Sequence, residues 1–250
     1  MNSRFSFNPS EGYWRLSSQE LQFLEGVPVP ASEETPQHKI PLSLYLPESY
    51  EPRHSYPLVI WLHQNGSNEE QIQQVLPAIS DRNYIGLGFR GTSDDGTSSG
   101  GAYDWDCSED SVEEFVHEIR ETLEEFQHFF RIDHNRIYLA GFDGGATMVL
   151  ELILQAPELF SGAIALAGEI PPATGRGVKF RLLTSRRALL GLGKLDCQIS
   201  QAEFLEHAGD LANTGLQVDS QFFNGGHELE PGILREIDRW LMAGCETSYV

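Results

Sequence analysis

Along most of this chain, short apolar runs alternate with segments in which apolar residues recur at helical spacing. Strands that alternate with helices build a mostly parallel sheet, because each crossover helix returns the chain to the same edge. The sequence therefore predicts an α/β fold, with a mostly parallel twisted sheet and helices on both faces. The predicted strands are 42–46, 58–62, 84–89, 136–140, 163–167, 188–192 and 218–223, and the predicted helices are 70–79, 111–130, 146–155, 201–212 and 231–242.

The length of the chain, 250 residues, allows one large α/β domain or two small ones. We expect a single domain over residues 41–250. The first 40 residues are rich in Ser, Glu and Pro, and we expect them to form an N-terminal extension or an edge hairpin of the same domain.

The charge balance is strongly acidic, with 17 Lys and Arg against 37 Asp and Glu and a net charge of −20. Such a charge opposes binding to nucleic acids and anionic membranes. The three cysteines are scattered without C-x-x-C spacing, which fits neither a disulfide framework nor a zinc site. We expect a cytoplasmic protein that uses no metal or cofactor and binds a small molecule.

The sharpest local signal is the sequence Gly141-Phe142-Asp143-Gly144-Gly145. It has the form G-x-S-x-G, with aspartate where the serine should be. This form occurs where a strand turns sharply into a helix, and its glycines permit the turn and the close approach of neighbouring backbone. Predicted strand 136–140 precedes the motif and predicted helix 146–155 follows it. The sequence thus places Asp143 at the tip of a tight strand-to-helix turn.

A polar, glycine-rich segment occupies residues 91–101, and Tyr103 and Trp105 follow it. We expect this loop at the carboxyl edge of the sheet, where open α/β folds bind ligands. A solvated loop and a substrate-facing loop are both compatible with its composition. Tyr103 and Trp105 are candidate substrate-binding residues, and packing of their rings in the core or at the rim is the alternative interpretation.

Four stretches carry a family resemblance, and they are 131–142 with Gly144-Gly145, Tyr56-Pro57-Leu58-Val59-Ile60-Trp61-Leu62-His63, Pro157-Glu158-Leu159-Phe160 and Gly225-Gly226-His227-Glu228. Together they resemble the α/β-hydrolase superfamily and, within it, the compact carboxylesterase/phospholipase group. The resemblance covers about residues 41 to 241 and implies the α/β-hydrolase fold. About twenty residues separate predicted strands 163–167 and 188–192, too few for a helical cap domain.

The superfamily orders its catalytic residues as nucleophile, acid and histidine along the chain. Here Asp143, Asp196 and His227 satisfy that order, and each follows a predicted strand. The resemblance implies that His227 is the general base and that Asp196 holds its other ring nitrogen. A solvated turn carboxylate remains the alternative for Asp196, and a simple loop histidine for His227.

The resemblance also implies an oxyanion hole built from backbone amides. Gly144 is the candidate after the nucleophile, and Gln64 is the candidate in the loop 63–66. The family usually has glycine directly after the histidine, so Gln64 is a departure that could reorient the loop. His63 is a candidate substrate-binding residue, with support of the loop by hydrogen bonding as the alternative.

An aspartate at this strand-to-helix turn, called a nucleophile elbow, permits two functions. Held at a helix N-terminus beside a histidine, its carboxylate favours the ionised form and is available as a nucleophile, as in haloalkane dehalogenases and epoxide hydrolases, whose elbow is similar. The first hypothesis is therefore a hydrolase acting on a small ester-like or electrophilic substrate. Aspartate is also a good N-cap residue, so the alternative is a catalytically inactive hydrolase-like protein that serves as a binding or regulatory module.

Overall fold

The protein was analysed as a computed structural model that describes residues 5–8, 13–15, 40–93, 101–172 and 179–246. The strands are β1 (Phe5–Asn8), β2 (Tyr13–Arg15), β3 (Leu42–Tyr45), β4 (Tyr56–Leu62), β5 (Ile85–Phe89), β6 (Ile132–Phe142), β7 (Gly162–Leu166), β8 (Arg187–Gly193) and β9 (Gln217–Phe223). A 3-10 turn (Glu69–Gln71) leads into α1 (Ile72–Ile79), and the further helices are α2 (Glu109–Phe129), α3 (Gly144–Gln155), α4 (Phe180–Leu183), α5 (Gln201–Ala212) and α6 (Pro231–Glu246).

The strands form one sheet in the order β2-β1-β3-β5-β4-β6-β7-β8-β9. From β5 to β9 all neighbours are parallel. The strands β2, β1 and β3 extend one edge with antiparallel pairing. The predicted mostly parallel α/β sheet is confirmed, and the carboxyl ends of β4, β6, β8 and β9 lie along the same edge.

Strand β5 shows that helices cover both faces of the sheet. A Cβ added to Gly88 would lie 3.0 Å from Cγ2 of Ile72 in α1. The next residue, Phe89, packs its ring edge-to-face on Phe115 of α2, with centroids 5.4 Å apart. Because successive side chains of a strand point to opposite faces, α1 and α2 lie on opposite sides. The interior strands are consequently apolar on both faces, and all seven residues of β4 are buried.

Ser111 and Glu114 have the spacing of a capping box, which predicts a helix that starts at Ser111, but α2 starts differently. The helix begins at Glu109, after Ser108. The hydroxyl of Ser111 instead donates to Oδ2 of Asp106 at 2.6 Å, and Oδ1 of Asp106 accepts the N–H of Ser108 at 2.9 Å. Asp106 therefore organises this helix start.

Two expectations concern regions of which the structure describes only some residues. Strands β1 and β2 pair at the edge of the sheet, but the division of the chain at residue 40 stays a prediction. Within the glycine-rich segment, residues 94–100 lie outside the described residues, while Ser93 and Asp104 on either side of it form a bridge. Among the helices of the described ranges, none has both the length and the apolar character required to cross a membrane.

Candidate functional site

Asp143 is the connection between β6 and α3, and its backbone is strained. Its φ of 55° and ψ of −126° lie in a region that residues with a side chain rarely adopt. The Asp143 N–H donates to the carbonyl of Leu166 at 2.9 Å, and its carbonyl accepts the N–H of Ala146 at 2.9 Å. Such strain persists where surrounding structure holds it, as here, and it is typical of functional sites.

Glycines make this turn possible because neighbouring backbone lies against them. A Cβ on Gly145 would lie 2.2 Å from the carbonyl oxygen of Leu62, and a Cβ on Gly141 would lie 2.7 Å from the carbonyl of Gly145. The first turn of α3 therefore rests directly on the end of β4. The predicted strand, tight turn and helix at this motif are all present.

The side chain of Asp143 faces away from the helix that it precedes. It makes no capping hydrogen bond to α3. Instead, its Oδ2 accepts the N–H of Asn65 at 3.1 Å, and its Oδ1 lies 3.3 Å from Nε2 of His227. The N-cap function considered for this aspartate is therefore absent, and each carboxylate oxygen meets a different polar group.

His227 also contacts Asp196, whose side chain is fully buried. Nδ1 of His227 lies 2.8 Å from Oδ2 of Asp196, and Oδ1 of Asp196 accepts the N–H groups of Gln198 at 2.8 Å and Ile199 at 3.1 Å. An ionised Asp196 accepts the Nδ1–H of the ring, which directs Nε2 toward Asp143. No described residue hydrogen-bonds to Nε2.

The pKa of Asp196 results from opposing effects. Burial raises the pKa of this carboxyl, but the hydrogen bonds from the N–H groups of Ile199 and Gln198 and the contact with His227 outweigh burial and lower the pKa below its ordinary value of 3.8. Asp196 is therefore a carboxylate at neutral pH.

The loops that carry Asp196 and His227 are tied together by their backbones. The N–H of Lys194 donates to the carbonyl of Phe223 at 2.9 Å, and the N–H of Leu195 donates to the carbonyl of Gly225 at 2.8 Å. These bonds extend the β8–β9 pairing beyond the strand ends. The separation of the acid and the imidazole is thus set by the sheet.

In the loop 63–66, the amide that faces Asp143 belongs to Asn65 and not to Gln64. The N–H of Gln64 donates to Oε1 of Gln71 at 3.3 Å, and Nε2 of Gln71 donates to Oε1 of Gln64 at 3.2 Å. Oε1 of Gln71 also accepts the indole N–H of Trp61 at 2.8 Å. The amide of Gln64 is thus already bonded to Gln71, and its assignment to an oxyanion hole stays a prediction.

Gly144 occupies the expected place after Asp143. It is the first residue of α3. The N–H groups of the first helical turn have no intrahelical acceptor, so this position suits an amide that binds an oxyanion. The assignment of Gly144 to an oxyanion hole stays a prediction.

His63 and Trp105 are buried and hydrogen-bond to the backbone of the surrounding loops. His63 is fully buried, its Nδ1 lies 2.7 Å from the carbonyl of Gln64, and its Nε2 accepts the N–H of Gly91 at 2.9 Å. Burial lowers the pKa of His63, so the ring is neutral, as these two bonds require. The indole N–H of Trp105 donates to the carbonyl of His63 at 2.7 Å, and this ring is also buried. Their predicted contact with substrate is not supported by this placement.

Tyr103 is half-buried and is engaged elsewhere in the loop. The guanidinium of Arg90 lies 4.5 Å from the centre of its ring. Its N–H donates to the carbonyl of Ser67 at 2.8 Å, and its carbonyl accepts the N–H of Gly66 at 3.1 Å. These contacts hold the loop after β4, and a substrate-binding function for Tyr103 stays a prediction.

Sequence reasoning did not identify Asn65 or Gln71 individually. Asn65 lies in the predicted oxyanion loop, but the direction of a backbone N–H has no sequence signature. Gln71 follows Gln64 by seven positions, and its bonds to Gln64 and Trp61 depend on the fold of the whole loop.

Comparisons with known proteins agree with this architecture. A family model described as phospholipase/carboxylesterase matches residues 99–243, more than half of the chain. The crystal structure of the Bacillus cereus carboxylesterase superposes with a TM-score of 0.64 at 21% identity, over 82% of this chain and 94% of that one. At this identity the likeness supports the fold.

Two curated relatives are similar in sequence. MhqD of Bacillus subtilis (strain 168), named as a candidate hydrolase, is 22% identical over 198 residues, covering 76% of this chain and 95% of MhqD. NocK of Nocardia uniformis subsp. tsuyamanensis, named as a candidate esterase, is 27% identical over 118 residues, or 46% of this chain, and the match spans 33% of the length of NocK. On the family match and the fold, this chain belongs to the phospholipase/carboxylesterase family of the α/β-hydrolase superfamily.

Proposed function

We propose that the protein is a hydrolase that acts on a small ester-like or otherwise electrophilic substrate through Asp143, His227 and Asp196. The observation that carries this proposal is the placement of the Asp143 carboxylate. Its Oδ1 faces Nε2 of His227 at 3.3 Å, while its Oδ2 faces the N–H of Asn65 at 3.1 Å. One oxygen is thus beside a base and the other beside a hydrogen-bond donor.

This placement suits a substrate with an electrophilic saturated carbon. Oδ1 of Asp143 attacks that carbon, a new C–O bond forms, and the leaving group departs with the electron pair of the broken bond. The product of this step is an ester between Asp143 and the substrate carbon. Oδ2 becomes the carbonyl oxygen of that ester and remains at the N–H of Asn65.

Hydrolysis of the ester uses the other members of the set. Nε2 of His227 takes a proton from water, and the resulting hydroxide adds to Cγ of Asp143. Oδ2 then carries the negative charge, which the N–H of Asn65 stabilises. Collapse breaks the bond between Cγ and Oδ1, the product leaves with Oδ1, and the imidazolium returns its proton to the product oxygen. The regenerated carboxyl of Asp143 then loses its proton to solvent. Asp196 stabilises the charged ring in between.

Carboxylic esters require a different use of the same residues. Attack by Asp143 on a carbonyl would give an anhydride, whereas action of Asp143 as a general base on water avoids that intermediate. His227 competes for that task, because it is also a base at the same place. Saturated electrophiles are therefore the better match to the geometry, and esters remain within the proposed substrate class.

A substrate panel tests the proposal directly. Purified protein is assayed on p-nitrophenyl esters, epoxides and haloacids, and Asp143→Asn is expected to abolish turnover, since an amide is neither a nucleophile nor a base. Asn224→Ala, in the loop before His227, is the matched control. The side chain of Asn224 is exposed and bonds Lys194, which is not a member of the proposed catalytic set. Persistence of wild-type rates in Asp143→Asn would contradict the mechanism.

Isotope labelling separates the two uses of Asp143. In a single turnover in H₂¹⁸O with enzyme in excess, a nucleophilic Asp143 gives unlabelled product and gains ¹⁸O in its own carboxylate, which mass spectrometry of the peptide detects. General-base action places the ¹⁸O in the product instead.

The competing hypothesis is a catalytically silent module that uses the same fold to bind a ligand. An ionised Asp143 repels the oxyanion of an ordinary ester intermediate, so loss of esterase activity is compatible with the observed contacts. Absence of turnover on every substrate of the panel, together with esterase activity gained by Asp143→Ser, would favour this hypothesis.

A further inference from the structure

His63 directly follows β4, and two backbone groups fix the tautomer of its ring. Nδ1 lies 2.7 Å from the carbonyl oxygen of Gln64, and Nε2 lies 2.9 Å from the amide nitrogen of Gly91. Because a carbonyl oxygen only accepts and a backbone N–H only donates, Nδ1 carries the proton and Nε2 presents its lone pair. The ring is therefore neutral, and each nitrogen has a backbone partner of its own.

The peptide unit between Gln64 and Asn65 connects this ring to Asp143. Its carbonyl oxygen accepts the Nδ1–H of His63 and, at 3.2 Å, the N–H of Ser67. Its N–H donates to Oδ2 of Asp143 at 3.1 Å. In a planar trans peptide the C=O and N–H bonds point in opposite directions. Donors that hold the carbonyl of Gln64 on one side therefore direct the N–H of Asn65 to the other side, toward Asp143.

These contacts form one chain of hydrogen bonds from Gly91 to Asp143. The chain runs from the N–H of Gly91 through the His63 ring and the peptide unit to Oδ2 of Asp143. Each link accepts a bond on one side and donates a bond on the other, so the bonds polarise one another. The Nδ1–H of His63 draws electron density toward the carbonyl oxygen, which makes the N–H of Asn65 a stronger donor.

Packing holds the donor at Nδ1 in place. His63 is fully buried, and its ring lies against the indole of Trp105 with centroids 4.9 Å apart. The indole N–H also donates to the carbonyl of His63 at 2.7 Å, which fixes the backbone of the same residue. Since close packing restricts a buried side chain to one position, the ring keeps its Nδ1–H directed at Gln64.

We propose that His63 is a positioning residue whose Nδ1–H orients and polarises the Asn65 amide for Oδ2 of Asp143. This inference rests on the proposed function. The amide acts mainly in hydrolysis of the ester intermediate, in which hydroxide adds to Cγ and the electron pair of the C=O bond moves to Oδ2. During the earlier attack by Oδ1, negative charge on Oδ2 declines, so a stronger donor does not favour that step. His63 therefore supports the second step selectively.

Two substitutions of His63 separate its two hydrogen bonds. The side-chain amide of Asn reaches the position of Nδ1, whereas that of Gln reaches the position of Nε2. His63→Asn therefore keeps a donor to Gln64, and His63→Gln keeps only a partner for Gly91. Both variants lose the packing of the ring on Trp105, so each controls for that loss in the other.

The two reaction steps are followed by rapid quench and intact-protein mass spectrometry of the ester intermediate. In His63→Gln we expect ester hydrolysis to slow about 10-fold, less than the roughly 10²-fold effect of deleting an oxyanion donor, because the N–H of Asn65 remains. Ester formation should stay close to the wild-type rate, so the ester accumulates. His63→Asn should recover most of the hydrolysis rate.

His134→Gln makes the same change at an exposed histidine near the start of β6, far along the strand from Asp143. It should leave both steps unchanged. Equal slowing of both steps in His63→Gln, or the same rate of ester hydrolysis in His63→Gln and His63→Asn, would overturn the inference and leave the proposed function standing.

Nuclear magnetic resonance tests the inference without turnover. In wild-type protein labelled with ¹⁵N-histidine, the His63 ring should show a protonated Nδ1 and an unprotonated Nε2 at neutral pH. A proton on Nε2 would overturn the inference, and this measurement requires no folded variant.

The ¹H resonance of the Asn65 amide then decides whether His63 acts on that amide. It should move upfield in His63→Gln and stay near its wild-type position in His63→Asn. A resonance that moves equally in both variants, or in neither, would contradict the inference. If the wild-type protein turns over no substrate but the resonances behave as expected, the proposed function fails and the positioning of the amide by His63 stands.

Discussion

Oδ1 of Asp143 lies 3.3 Å from Nε2 of His227 without the geometry of a hydrogen bond. With Nδ1–H donated to Asp196, a neutral ring presents a lone pair at Nε2, and a charged ring presents a proton. The neutral state serves as a base toward water, and the charged state is paired with two carboxylates. The same arrangement of residues is compatible with both states that the proposed reaction uses.

Asp143→Ser is expected to create esterase activity. A serine hydroxyl ends closer to the backbone than a carboxylate, so it leaves the N–H of Asn65 to the oxyanion of a substrate, while His227 activates the hydroxyl. The release of p-nitrophenol from short-chain esters measures this gain. Asp143→Ala is the control and should show no gain, since it lacks a nucleophile.

Asp196→Asn tests the pH dependence of stability. The pKa of Asp196 is lower in the folded state than its ordinary value of 3.8, so its contribution to stability is complete above that value and is lost as the pH falls through the lower folded pKa. We expect wild type to be more stable than Asp196→Asn at pH 6 to 7, with the gap narrowing below about pH 4. Urea unfolding of both proteins across this range measures the gap, and a constant gap would contradict the prediction.

Gln71→Leu tests the hydrogen bonds that turn the amide of Gln64 away from Asp143. The substitution leaves the buried indole N–H of Trp61 without its acceptor, which costs about 1–3 kcal/mol of unfolding free energy. It also removes the acceptor of the Gln64 N–H, next to the Asn65 amide that bonds Asp143. We therefore expect kcat to fall more than KM changes. Gln74→Leu, at an exposed position of α1, should change stability by less than about 0.5 kcal/mol.

Gly145→Ala tests the packing of the elbow on β4. The added Cβ would lie 2.2 Å from the carbonyl oxygen of Leu62 and 2.4 Å from that of His63, and backbone cannot move aside cheaply. We expect a loss of about 3 kcal/mol or more, measured by thermal or urea unfolding. The matched control is Gly209→Ala in α5, where the new Cβ meets no atom within 4 Å and should stabilise the helix by roughly 0.5–1 kcal/mol.

Much of the fold was predictable because its signals are local. Each parallel strand is an apolar run between helix-length segments, and the glycines of the elbow specify a tight turn directly. The sequence also indicated that Asp143, Asp196 and His227 follow strands, and the structure places them in contact, while their catalytic functions stay predictions.

Side chains in the loops were less predictable, because their partners are remote in sequence. His63 and Trp105 have polar groups that could bind a substrate, but the packing of the Trp105 ring on Phe115 of α2 buries that ring. Ser111 fits a capping box, but Asp106 takes its hydroxyl. In each case a tertiary contact decides between two interpretations that the sequence leaves open.

The elbow around Asp143 has one more consequence. Its turn depends on backbone hydrogen bonds to Leu166 and Ala146 and on the bare glycines Gly141 and Gly145, and the carboxylate takes part in none of these contacts. The shape of the turn therefore does not depend on contacts of the side chain at position 143. A substitution at position 143 is therefore expected to change the chemistry of the site while the turn keeps its shape.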